Sequence, residues 1–277
     1  MGDLLGDFSS YPRSKIVYHS VLDLMSITLY QGDCLQVMKQ LPAKSVDLFM
    51  CDLPFGCLAT GGPNTKKKLC SWDIKIDLEE FWKQVERLAK HDKVPILHFC
   101  TTKYGYELIQ SNPSWFRYDL VWNKERGVSF LSANKMPMRS HEMVYVFSKS
   151  GAYYNRVDIK GEFKAWKSFN HESKVRVYNK VGKENTLFAN ANDGSTRCAL
   201  SVITMRKPNT RGHPTEKPKD LYKWLIERYC PPGGTVLDPT AGSGNSGFAT
   251  YDLDRHAILI EKDKAFHDAI EKKMDTL

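Results

Sequence analysis

The chain has 277 residues, 42% apolar and 26% charged, enough for one large α/β domain and too apolar for a disordered chain. No stretch nears the ~20 apolar residues of a membrane span, and MGDLLGDFSS lacks a basic region followed by an apolar one, so neither an anchor nor a signal peptide is expected. The net charge is +8, and the seven cysteines are never spaced C-x-x-C, which argues against a disulfide framework or a cysteine zinc site and for a reducing, cytoplasmic setting.

In chain order, residues 1–20 read as a loose arm, and Ser26–Tyr30 as a strand. After a turn, Cys34–Gln40 reads as a short helix and Ser45–Cys51 as an apolar strand, stopped by Asp52-Leu53-Pro54-Phe55-Gly56. Residues 57–71 are polar, with Gly61-Gly62-Pro63 and the run Lys66–Lys68, and read as a mobile loop. Helical spacing of apolar residues predicts a helix over Leu78–Lys90. Val94–Cys100 reads as a buried strand, Lys103–Gln110 as a helix, and Tyr118–Trp122 and Glu142–Phe147 as strands. Lys219–Cys230 is a helix ended by Pro231-Pro232-Gly233-Gly234. Thr235–Leu237 is a strand, a helix starts near Ser246, Ala257–Ile260 is a strand, and the last sixteen residues form one more helix. Strands alternating with helices predict a mostly parallel sheet covered on both faces.

Residues 151–212 hold twelve Lys or Arg against five Asp or Glu, a net of +7, so nearly all the excess charge sits in one segment. Tyr153, Tyr154, Phe163, Trp166, Phe169 and Tyr178 lie among these cations. Basic residues interleaved with aromatics suit a nucleic acid, whose phosphates they neutralise and whose bases they stack on; a solvated basic surface over a small core is the alternative.

Val236–Gly247 reads as strand, glycine turn, helix, with Gly242, Gly244 and Gly247 in G-x-G-x-x-G. Glu261, nineteen residues after Gly242, ends the next strand, where a carboxylate can accept the ribose hydroxyls of an adenosine. A dinucleotide and S-adenosyl-L-methionine both fit this pattern. Only one helix follows Glu261, so a second dinucleotide half has no room, and Asp238 would repel a pyrophosphate while suiting an amino group. Both points favour S-adenosyl-L-methionine.

Asp52-Leu53-Pro54-Phe55 follows a strand, which puts it at the carboxyl edge of the sheet, where ligands of open α/β folds bind. A purine amine is a poor nucleophile because its lone pair is delocalised into the ring. A carboxylate and a carbonyl, each accepting one N–H, favour the pyramidal form, and an aromatic face can stack on the base. Two His-Glu pairs, at 141–142 and 171–172, lack a second His at helical spacing, so no metal site is expected. His98, inside an apolar strand, reads as a hydrogen-bonded core residue.

The tetrapeptide resembles the D-P-P-Y signature of amino-directed DNA methyltransferases. Gly32-Asp33-Cys34-Leu35, His213-Pro214-Thr215-Glu216-Lys217-Pro218 and Asp238–Gly244 resemble their other motifs, in the order of the β group. The resemblance implies a Rossmann-like, circularly permuted methyltransferase core. Its catalytic half would span 21–150, a basic target-recognition insert 151–212 and its cofactor half 213–277. It implies that Asp52 and the Leu53 carbonyl hold the target amine, that Pro54 stiffens the turn and that Phe55 stacks on the base. Asp33 would contact the cofactor adenine and Glu261 its ribose. Asp238 and the turn holding Thr240, Gly242, Gly244 and Asn245 would cradle the methionine end, with Thr215 and Lys217 beside its carboxylate. Leu53 and Phe55 depart from the signature but keep the carbonyl and the ring. Asp at the first position favours adenine N6 over cytosine N4, and the chain has no Pro-Cys dipeptide for the cytosine C5 route. The expected partner is double-stranded DNA from which the base is flipped. A homodimer and a cognate restriction nuclease are compatible with that reading. RNA methylation and a silent nucleic-acid-binding module of the same fold are the alternatives. Lys124 and Arg139, at predicted strand ends near the cleft, are candidate DNA contacts or solvated loop residues. Lys164, Lys174 and Arg176 are the candidates within the insert.

Overall fold

The computed structural model describes residues 14–18, 26–56, 73–128, 130–161, 196–206 and 216–277. By contact pattern the chain divides into a larger unit, Met1–Asn155 with Ser201–Leu277, and a small one, Arg156–Leu200. The loop 57–71, and Lys164, Lys174, Arg176 and Thr215, lie outside the described residues.

The larger unit is built on a nine-stranded sheet among the described residues. Its elements in chain order are β1 (Ser14–Tyr18), β2 (Ser26–Gln31), α1 (Cys34–Gln40), β3 (Leu48–Cys51), α2 (Leu78–Leu88), β4 (Ile96–Cys100), α3 (Thr102–Ser111), β5 (Phe116–Val128) and β6 (Arg139–Phe147). In the small unit, β7 (Ile159–Lys160) and β8 (Thr196–Arg197) form an antiparallel pair. The larger unit resumes with β9 (Val202–Thr204), α4 (Lys219–Tyr229), β10 (Thr235–Asp238), α5 (Asn245–Tyr251), β11 (His256–Glu261) and α6 (Lys264–Met274).

The strand order is β1-β2-β11-β10-β3-β4-β6-β5-β9. The run from β2 to β4 is parallel, and β1 and β6 are antiparallel to their neighbours. The C-terminal strands β10 and β11 therefore sit between β2 and β3, which is the permuted order the motifs imply. Side-chain alternation with period two distributes the strands' residues to two faces. Phe49 and Cys51 of β3 pack under α1, α2 and α3 with Phe81, Val85 and Leu108. Leu48 and Met50 face the opposite layer with Leu221, Leu225 and Ile226 of α4. Ile27, Leu29 and Leu259 meet Phe248 and Ile270 of α5 and α6. The result is helix, sheet, helix in three layers.

Four departures from the sequence reading have physical causes. Part of the expected arm is the edge strand β1, paired with β2 from Ser14 opposite Tyr30 to Tyr18 opposite Ser26. The strand expected from Ser45 starts at Leu48, because Ser45 and Val46 donate to the Leu88 carbonyl at the end of α2 instead. β5 runs on to Val128 because its far end pairs with β6, Val128 opposite Arg139, while β9 flanks only Val121–Asn123. Residues 201–206 and 152–155, read as part of the basic segment, belong to the larger unit: the Trp122 indole donates to the Met205 carbonyl, and Asn155 donates to the Arg228 carbonyl.

His98 lies in the core, but neither ring nitrogen has a hydrogen-bond partner. The rings of Phe81, Trp82 and Phe147 surround it edge-on, and burial holds its pKa down to about 3, so the imidazole is neutral.

Candidate active site

The carboxyl ends of β2, β3, β10 and β11 open on one cavity of about 580 Å³. Asp33, Asp52, Leu53, Pro54, Phe55, Lys217, Thr240, Gly242 and Glu261 all line it, residues brought together from both ends of the chain. β3 stops where it does because Pro54 has no N–H to extend the ladder. Leu53 turns its side chain into the core, 1% exposed, so its backbone is what the position offers the cavity. The Phe55 ring is half-buried and lies 5.1 Å from Tyr104, tilted by 35°.

Asp52 is held by Lys217, whose ammonium donates to the carboxylate. Lys217 is 3% exposed, lies 3.9 Å from Glu142 and stands 4.6 Å over the Phe99 ring. Glu142 also accepts from Lys124. Asp52, Lys217, Glu142 and Lys124 thus alternate in charge, the first three lining the cavity and Lys124 behind them. Burial pushes the Asp52 carboxyl up, with Lys217 opposing that and Glu142 adding to it. Burial pulls Lys217 down, but Asp52 and Glu142 outweigh it and hold the ammonium above its ordinary value.

The glycine turn closes the other side. Gly244 caps α5 with φ +78, a left-handed conformation that favours glycine. A Cβ on Gly247 would meet Leu259 at 2.5 Å, so that glycine serves helix–sheet packing. Glu261 accepts from Gly242 N and Asp263 N, both at 2.8 Å, which ties the acid to the turn. Asp33 caps α1 through Leu35 N and pairs with Lys262 at 3.2 Å. Asp238, Gly244 and Asn245 lie beneath the turn and outside the lining. Asn245 donates to the Glu216 carboxylate and the Lys217 carbonyl, so its amide fixes the segment that delivers Lys217.

Asp238 accepts from Thr240 N and the Ser246 hydroxyl, and burial pushes its pKa up to about 7. A carboxyl raised from 3.8 contributes stability that is fully present below that value and is lost as pH rises through about 7. Asp238→Asn is therefore expected to raise stability at pH 8 by at most about 4 kcal/mol, roughly three pKa units at ~1.4 kcal/mol each, less the cost of replacing one accepting oxygen by an amide N–H2. The gain shrinks toward pH 4. Urea unfolding at the two pH values checks this, and an equal effect at both would remove the buried charge as its cause.

Lys124 differs from its expectation. It sits within β5 rather than at a strand end, is 5% exposed and is committed to Glu142, so its ammonium does not face a phosphate. Arg139 opens β6 and reaches Thr102 Oγ1 at 3.4 Å. Tyr222 and Phe266 line the cavity and were not singled out in the sequence, and Glu142, considered there only as half of a metal motif, lines it as well. Glu142 had a signal, an acid opening an apolar strand.

The lining carries eight Asp or Glu and three Lys, inside a chain whose net charge is +8. An anionic cavity with apolar walls suits a cation-bearing nucleoside and disfavours a pyrophosphate. Among the described residues no helix is long and apolar enough to cross a membrane.

Residues 46–272 match the N6/N4 methyltransferase family model, described as DNA methylase. The chain belongs to this DNA methylase family. Type II methyltransferase M.HinfI of Haemophilus influenzae is 25% identical over 89% of this chain and 68% of its own length. Among solved structures, PvuII DNA methyltransferase (cytosine-N4-specific) aligns over 90% of both chains with a TM-score of 0.61 and 14% identity. The M1.HpyAVI–SAM complex aligns over 89% of this chain and 99% of its own, with a TM-score of 0.55 and 18% identity. The fold of this DNA methylase is thus the Rossmann-like methyltransferase fold, and its strand order is the permuted one.

Proposed function

We propose that this DNA methylase transfers a methyl group from S-adenosyl-L-methionine to the N6 amino group of an adenine turned out of duplex DNA. One observation carries the reading: Asp52, the Leu53 backbone and Phe55 share an anionic cavity with Glu261 and the glycine turn. The M1.HpyAVI complex holds the same cofactor on the same fold.

Glu261 would take the ribose, Asp33 the adenine edge, and the 239–243 backbone, held in place by Asp238, the methionine end. The flanking Thr215 and Lys217 belong to the same segment as the turn's anchor. Bound there, the cofactor supplies an electrophilic methyl group on a cationic sulfur, which eight carboxylates favour over a neutral ligand. Asp52 and the Leu53 carbonyl each accept one N–H of the target amine, which frees its lone pair. Lys217 occupies one side of the Asp52 carboxylate and favours its ionised form, leaving the other side for the amine. After transfer the nitrogen carries a surplus proton, and Asp52 is the acceptor within reach. Asp rather than Ser at position 52 supports adenine as the base.

Methyl transfer to unmodified genomic DNA, followed by nucleoside digestion, tests the reading. N6-methyladenine is expected. N4-methylcytosine would overturn the choice of base, and label in RNA alone would overturn the substrate. Mapping the modified bases then gives the target site.

Phe55→Ala is expected to weaken binding of an extrahelical target base by roughly 1–3 kcal/mol, the usual worth of base–aromatic stacking. Phe55→Tyr should keep activity. Titration with a duplex carrying an abasic site opposite the target measures both. Wild-type affinity in Phe55→Ala would assign the ring another role.

The core halves 21–150 and 213–277 carry the chemistry in this reading, and 151–212 reads the target, supported by its net +7. Reversing the charge of Lys164, Lys174 and Arg176 together should weaken DNA binding. It should also flatten the slope of log K against log salt by about 0.9 for each phosphate that is no longer neutralised. An unchanged slope would move the DNA surface off this segment.

A further inference from the structure

The connection between β5 and β6 is the most apolar exposed surface among the described residues. Phe130, Leu131, Met136 and Met138 are 71%, 86%, 57% and 42% exposed, all within nine residues. Elsewhere among the described residues such side chains stand singly or, at Leu200 and Val202, as a pair, which is ordinary; a cluster of four marks an interaction site. Residues 126–141 contain Arg126, Lys135 and Arg139 and no acidic residue. An apolar tip on a basic stem suits a partner that is anionic outside and apolar within.

The hairpin also points the right way. Cys100, the end of β4, pairs with Met143 of β6, and the next residue toward the tip, Glu142, lines the cavity. Arg139 lies three residues further, about 10 Å at ~3.3 Å per residue. The tip therefore rises beyond the mouth of the cavity, on the same edge of the sheet. Its root is reshaped by a bulge: Asn123 pairs with His141 and Val128 with Arg139, so five steps on β5 oppose two on β6. Glu125 adopts φ +53 inside it. Bulges of this kind re-aim a strand beside an active site.

We propose that this tip is a wedge that enters duplex DNA and fills the gap left by the extruded base, with Lys135 and Arg139 on the flanking phosphates. Apolar side chains inserted between base steps are an established means of unstacking a duplex. The proposal rests on the methyltransferase reading above.

The test uses the full chain and two duplexes containing the mapped target: one fully paired, one with an abasic site opposite the target adenine, where the base is already free to leave. In Phe130→Ser/Leu131→Ser, single-turnover methylation of the paired duplex should fall at least ten-fold. On the abasic duplex it should change less than two-fold. 2-Aminopurine at the target position should lose its fluorescence rise in the double variant, and Phe130→Trp should retain it. Equal loss on both duplexes, or no loss on the paired one, would overturn the wedge. So would a shift from dimer to monomer in sedimentation with equal loss on both, which would make the tip an interface between copies. A wild-type protein that methylates neither duplex would instead remove the methyltransferase reading itself.

Discussion

In Asp52→Asn, single-turnover methyl transfer should fall by roughly 10²–10⁴-fold, the usual worth of a positioned acid–base group. The amide keeps the shape of the carboxylate but presents an N–H2 where the target amine needs an acceptor, and it cannot take the surplus proton. S-adenosyl-L-methionine affinity should stay close to wild type, because Glu261 and the glycine turn are held by their own hydrogen bonds. Calorimetry and rapid-quench methylation on one preparation separate the two effects. A variant with near-normal transfer would move the chemistry off Asp52. A variant that also loses the cofactor would show that Asp52 organises the whole cavity.

Lys217→Met is expected to be as damaging to activity and more damaging to stability. The ammonium is 3% exposed and stands between Asp52 and Glu142. Removing it leaves two facing carboxylates in a low-dielectric site. Breaking a buried pair costs about 3–5 kcal/mol, and the partial exposure of both acids places this case near the lower end. The pH dependence has a definite sign. Burial already raises Asp52, and loss of its cation raises it further. A raised carboxyl contributes stability present below its unfolded pKa and lost as pH rises through its folded one. The deficit of the variant should therefore be small in acid and largest at alkaline pH. Activity should move the opposite way, because only ionised Asp52 accepts the amine: the acid limb of the rate profile should shift to higher pH. A variant with the wild-type limb would mean that Lys217 does not set the ionisation of Asp52.

The parts of this site that were legible in the sequence are those where backbone chemistry forces a local choice. Pro54 ends a strand whatever surrounds it, and Gly244 supplies the left-handed residue that starts α5. Glu261 at a strand end follows from periodicity alone. What could not be read depends on neighbours remote in the chain. β5 looked like five residues because its extension at both ends is held by pairing with β6 across the hairpin, from Phe116 opposite Phe147 to Val128 opposite Arg139. Lys124 looked like a loop cation because its partner, Glu142, lies across the hairpin. His98 looked like a hydrogen-bonded residue because sequence cannot show that only rings surround it. Asp238 was legible as an acid before a glycine turn. That its oxygens are spent on Thr240 and Ser246 beneath the turn depends on how the turn closes.

The interleaved strand order also has a consequence for biosynthesis. β2 ends at Gln31 and β3 at Cys51, yet the two strands that separate them, β10 and β11, begin at Thr235 and His256. At roughly 5–20 residues per second, a ribosome needs on the order of 10–45 s to travel from the end of β2 to the start of its partner β11. Through that interval the apolar edges of β2 and β3, with Ile27, Leu29, Leu48 and Phe49 beside them, have no neighbour to pair with. The centre of the sheet is therefore completed only after Thr235–Asp238 and His256–Glu261 have been made.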